Sequence, residues 1–124
     1  MILVVDGDSQ AGTSLERVLR YRGMPAVFVE DGMEALCLLE MQNPELVITD
    51  LHIRGIDGLL FIQAIRKDPN YKAVPIVVLT SDFADERRRA ALQAGAHDYI
   101  VKGTIGRDSL IERINKWLKP GTGG

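Results

Sequence analysis

The 124-residue chain has one cysteine, one tryptophan, two histidines and no excess of positive charge. Each shortage removes a class of function. A single thiol, Cys37, cannot close an internal disulfide, so a reducing compartment is expected. No apolar run approaches the roughly 20 residues that span a bilayer. The N-terminus has no basic segment ahead of an apolar run, so it does not read as a signal peptide. A soluble cytoplasmic domain with no membrane partner is the expectation. With 15 Lys and Arg against 17 Asp and Glu, the formal net charge is −2, which gives no bulk attraction to nucleic acid. No glycine-rich phosphate loop follows the first apolar run, which disfavours a nucleotide or dinucleotide enzyme. No helix-turn-helix or other DNA reader fits within this length, so no direct nucleic-acid contact is expected.

What the chain does have is a hydrophobic content of 46%, ordinary for one globular domain with a closed core. Five short apolar runs recur: 2–6, 26–30, 46–50, 76–80 and 98–101. They are near-continuous in Val, Ile and Leu, as suits parallel strands covered on both faces. Segments with helical spacing lie between them. Leu15, Val18 and Leu19 mark the first; Ala35, Leu36 and Leu39 the second; Leu60, Phe61, Ala64 and Ile65 the third. Ala91, Leu92 and Ala94 mark the fourth, and Leu110, Ile111, Ile114, Trp117 and Leu118 the last. Gly23 and Gly95 stand where helices should end, and Asn43-Pro44 and Asp68-Pro69 close two more. Gly55 and Gly58, around Asp57, read as turn and helix-entry residues.

Five β-α alternations predict an α/β fold, a doubly wound parallel sheet with right-handed crossovers. Ligands in such folds bind beyond the carboxyl ends of the strands, at the switch in strand order. The first strand reaches Asp6, the third Asp50 and the fourth Thr80, while Lys102 follows the fifth. Two carboxylates, a hydroxyl and an ammonium are therefore expected at one edge.

With "LVVDGD", "LVITDLHIRGIDG", "PIVVLTS" and "GAHDYIVKG" in those slots, the chain resembles a response-regulator receiver domain over nearly all of residues 2–118. The resemblance implies a CheY-like five-stranded sheet in the order 2-1-3-4-5 with five helices. It places the receiver at 1–119, and makes 120–124 the start of a linker or a tail. Asp50 is implied as the phosphoacceptor, with Lys102 and Thr80 on the phosphoryl oxygens. Asp6, Asp50 and the His52 carbonyl are implied as Mg²⁺ ligands, with Asp8 a further candidate. These types suit phosphoryl transfer, which is mostly positioning plus neutralisation of charge on the equatorial oxygens. Tyr99 matches the switch aromatic, expected to turn inward when Thr80 moves toward the phosphate. The implied partners are a sensor histidine kinase or phosphotransfer protein, and a downstream effector domain or protein. A homodimer through the fourth helix, fifth strand and fifth helix is implied as well. The protein is expected to be a regulatory phosphoacceptor rather than an enzyme.

The departures cluster at the site. The family usually carries a second acid where Gly7 stands, so weakened Mg²⁺ binding is expected, and a Gly7→Asp exchange is expected to strengthen it. Asp8 or Ser9 is expected to cap the first helix. Ile53-Arg54-Gly55 replaces a Met-Pro-Gly pattern, and Gly103 replaces the proline after Lys102. His52 and Asp82 occupy positions that tune water access to the phosphate, and Arg87 to Arg89 offer charge to a partner. Two other readings stay open: a receiver-like interaction or dimerisation module independent of phosphorylation, and a small-ligand binding protein or flavodoxin-like enzyme on the same architecture.

Overall fold

A computed structural model describes residues 1–118. Strands and helices alternate as β1 (Ile2–Val5), α1 (Ser9–Tyr21), β2 (Ala26–Val29), α2 (Gly32–Gln42), β3 (Leu46–Thr49), α3 (Gly58–Lys67), β4 (Ile76–Thr80), α4 (Asp85–Ala94), β5 (Asp98–Val101) and α5 (Arg107–Trp117). The sheet is parallel throughout, in the order β2-β1-β3-β4-β5. The expected fold is the observed one. The expected tail, residues 120–124, lies outside the described residues.

Each strand sends alternate side chains to opposite cores. Leu3, Val5, Val47 and Val78 pack with Ala35, Leu39, Phe61, Ile65 and Ala91 under α2, α3 and α4. Ile2, Val4, Ile48 and Val77 pack with Leu15, Leu19, Ile111 and Ile114 under α1 and α5. Two of the residues expected on core faces point elsewhere. Leu60 and Leu92 are 53% and 39% exposed, because Ile62 and Ala91 take the inward positions on their helices.

Entry to the first three helices is fixed by aspartates. Asp8, Asp31 and Asp57 each accept two backbone N–H bonds at the start of α1, α2 and α3, replacing partners that the first helical turn lacks. Asp57 is thereby committed to capping. Gly12 lies inside α1, where glycine disfavours helix. Its reason is tertiary, since a Cβ there would collide with the Phe28 ring.

β1, β2 and β3 end one residue earlier than expected, at Val5, Val29 and Thr49. The ladder stops at the pairs Val5↔Val29 and Val5↔Thr49, which frees the next residues to turn into the crevice. Their amides stay anchored: Asp6 N–H donates to the Val29 carbonyl at 3.2 Å and Asp50 N–H to the Val5 carbonyl at 2.9 Å. The chain departs from β1 toward β2 on one side and reaches β3 on the other, so this edge is the switch point.

Candidate functional site

An open cleft of about 770 Å³ lies at that edge, walled by Asp6, Gly7, Asp50, His52, Ser81 and Lys102 among others. Asp6 and Asp50 are 6% and 5% exposed, and Thr80 is fully buried. Lys102 follows β5, its backbone N–H on the Thr80 carbonyl at 2.8 Å. Its ammonium then spans the crevice, 2.7 Å from Asp6 Oδ2 and 2.9 Å from Asp50 Oδ2. All four residues expected at the edge are brought together.

The two carboxyls differ in character. Burial raises Asp50, but donors from Thr80, Lys102 and the His52 N–H outweigh it and hold the group below the ordinary carboxylate range. At Asp6 burial prevails over the bonds from Lys102 and the Asp8 N–H, so its pKa is raised. Burial lowers Lys102, yet its bonds to Asp6 and Asp50 leave it raised and charged. The cleft thus holds an ionised carboxylate with an ammonium and a hydroxyl beside it, which suits nucleophilic attack on an electrophile that brings oxygen anions.

Around this centre, His52 Nε2 lies 3.9 Å from Asp82 Oδ2, and Arg87 Nε lies 3.7 Å from the same oxygen. Tyr99 is turned inward and is 7% exposed. Its hydroxyl donates to the Asp82 backbone carbonyl at 2.6 Å.

The geometry has its counterpart in known proteins. Residues 2–115 match the model of the response regulator receiver domain. The chain belongs to the response-regulator receiver family. This receiver is 36% identical over 118 residues to the transcriptional regulatory protein PrrA of Mycobacterium tuberculosis, covering 95% of the chain and 49% of PrrA. It thus spans about half the length of such curated relatives. Among solved structures it resembles the BeF3-activated N-terminal receiver domain of RstA from Klebsiella pneumoniae, with a TM-score of 0.88 and 30% identity over 95% of this chain and 97% of that one. It also resembles the receiver domain of the sensor histidine kinase PA1611 from Pseudomonas aeruginosa, with a TM-score of 0.85 and 31% identity over 94% and 95% of the two chains. That structure carries a magnesium ion coordinated in its active-site cleft.

The expected Mg²⁺ ligands of this receiver face the cleft, but all are engaged. Asp6 holds the Asp8 N–H on Oδ1 and Lys102 on Oδ2. Asp50 holds the His52 N–H on Oδ1 and Lys102 on Oδ2. The His52 carbonyl accepts the Gly7 N–H at 3.0 Å. Asp8 spends Oδ1 on Gln10 and Ala11 of α1. Among the described residues, no three His, Cys, Asp or Glu side chains cluster. Mg²⁺ demands near-octahedral oxygen coordination. As arranged, the Lys102 ammonium stands between the two carboxylates that would hold the ion, with water left to complete the shell.

Sequence reasoning missed the opposite end of β5. Asp98 accepts from Arg113 Nε at 3.0 Å and Trp117 Nε1 at 2.9 Å. His97 Nδ1 accepts from the Ile76 N–H at 3.2 Å and Arg66 Nη2 at 3.0 Å. The spacing of Asp98 and Arg113 carries no periodic signal; only the packing of α5 on β5 joins them. Among the described residues, no helix is long and apolar enough to cross a membrane.

Proposed function

We propose that this receiver takes a phosphoryl group on Asp50 from a sensor histidine kinase or phosphotransfer protein, and passes the change to a downstream effector. The observation that carries this reading is the setting of Asp50: buried, held ionised, and flanked by the Lys102 ammonium and the Thr80 hydroxyl. A carboxylate oxygen attacks phosphorus, the bond from phosphorus to the donor oxygen or nitrogen breaks, and its electron pair leaves with the donor. Lys102 offsets charge on the transferred oxygens and the Thr80 hydroxyl donates a hydrogen bond to one of them. Mg²⁺ binding is weak, because Gly7 supplies no carboxylate and the Lys102 ammonium offsets one of the two negative charges. The protein regulates rather than turns over a substrate, and it acts in the cytoplasm.

The output surface is α4, β5 and α5, where Tyr99 links the loop after β4 to the fifth strand. Homodimerisation through that face fits the reading, as does a histidine kinase or effector as partner. A second reading, an interaction module working without phosphorylation, is favoured by Gly7. Mass spectrometry after treatment with acetyl phosphate and Mg²⁺ separates the two. The expected result is one phosphoryl addition in the parent and none in Asp50→Asn. Equal uptake by the variant overturns the assignment, and no uptake by the parent from any donor establishes the second reading.

A further inference from the structure

Gly7 does more than omit a ligand. Its φ lies outside the left-handed region, unlike Gly23, Gly55, Gly95 and Gly103, so backbone conformation does not demand glycine. Space does. A Cβ at Gly7 would stand 2.5 Å from the His52 carbonyl oxygen and 3.4 Å from its carbon. Real Cβ atoms do not approach backbone oxygen so closely, and a backbone carbonyl cannot swing aside as a long side chain can. Glycine lets the loop after β1 and the loop after β3 touch, and the Gly7 N–H then donates to the His52 carbonyl at 3.0 Å.

We propose that Gly7 and His52 form a backbone latch across the divalent-cation position, so that Mg²⁺ binds only after the two loops part. The carbonyl in the latch is the oxygen expected to serve the metal. The latch and the cation therefore share one acceptor, and they compete for the space between loops that the close approach at Gly7 removes. Lys102 reinforces the closed form: its ammonium sits between Asp6 and Asp50 and serves as the site's resident cation. The latched pocket holds two carboxylates and one ammonium, which lessens its pull on a second cation. This inference rests on the receiver reading of the pocket, and it adds that metal affinity is limited by a backbone contact as well as by a missing charge.

The test compares the parent, Gly7→Ala and Gly7→Asp in calorimetric titrations with Mg²⁺ alone. Alanine brings the obstructing Cβ without any donor, whereas aspartate brings both. The expected order of affinity is parent, then alanine several-fold tighter, then aspartate tighter again. An alanine variant with the parent's affinity beside a tighter aspartate variant assigns the whole effect to charge and overturns the latch. Amide hydrogen exchange on the unmodified protein decides independently, should a variant fold poorly. The Gly7 N–H is expected to be protected and to lose protection as Mg²⁺ is added; exchange at the rate of a free loop amide overturns the proposal. Neither readout depends on phosphoryl transfer. Failure of Asp50 to take a phosphoryl group is scored separately by mass, so loss of the functional reading and loss of the latch give different results.

Discussion

The Tyr99 hydroxyl donates to the Asp82 backbone carbonyl across 2.6 Å, fastening β5 to the loop that follows β4. Thr80 shares that fastening, since its Oγ accepts the Asp82 N–H at 3.3 Å. Asp82 is thus held from both sides, by the hydroxyl at the end of β4 and by Tyr99. Movement of Thr80 toward a ligand at Asp50 has a direct mechanical route to Tyr99. A ligand shifts such an arrangement only through unequal affinity for its states.

Tyr99→Phe keeps the buried ring and deletes the bond. A loss of about 1 kcal/mol of stability is expected in urea unfolding. Amide chemical shifts should move at Ser81, Asp82 and Phe83 while the core of β1 and β3 stays unchanged. Shifts confined to position 99 itself would show that the bond does not organise the loop.

Lys102→Met leaves Asp6 and Asp50 facing each other without a cation. Because Lys102 is 23% exposed, water softens the penalty, and a loss of about 1–3 kcal/mol at neutral pH is expected. The deficit should shrink as the solution is acidified, since protonating one carboxyl relieves the repulsion. Denaturant unfolding of parent and variant across pH reads both effects, and a deficit that grows in acid would contradict the arrangement.

Asp8 was a candidate metal ligand and is found capping α1 through Oδ1. Asp8→Ala should therefore cost about 1 kcal/mol of stability, while leaving Mg²⁺ affinity as in the parent. Abolished metal binding with unchanged stability would return Asp8 to the metal.

His97 predicts a pH dependence remote from the cleft. Burial, with the Arg66 charge second, holds its pKa below the ordinary 6.5. Nδ1 accepts two N–H bonds, so the proton of the neutral ring resides on Nε2. The unfolded chain takes up a proton at His97 as pH falls below 6.5 while the folded one does not. Stability is therefore full above 6.5 and declines as pH falls from there toward the lowered folded value. Urea unfolding between about pH 7.5 and 5.5 should show this decline, and His97→Gln should flatten it. The Trp117 ring, 5.4 Å from that of His97, offers a fluorescence signal for the same titration. Asp98 titrates in a separate window. Burial raises it, but Arg113, Trp117 and the Tyr99 N–H prevail and leave it lowered, so its contribution is lost only as pH falls below 3.8 toward the folded value.

The fold class and the four residues at the crevice were legible in the sequence pattern, while the strand order came from the family resemblance. Near-continuous Val, Ile and Leu runs alternating with helical spacing specify a two-sided parallel sheet, and such sheets expose their strand ends at a switch point. Asp6, Asp50, Thr80 and Lys102 follow from that geometry almost directly. What the pattern could not decide was contact between segments distant in the chain. Gly7 read as a missing acid, and only the approach of the loop after β3 shows it as a close crossing of two backbones. Gly12, inside α1, is accounted for only by the Phe28 ring that a Cβ there would meet. His97 and Asp98 carried no signal, since their partners Arg66, Arg113 and Trp117 come from helices on opposite faces of the sheet. Local propensity and periodicity are properties of neighbouring residues, whereas steric exclusion and hydrogen-bond pairing belong to whatever the folded chain brings within a few ångströms.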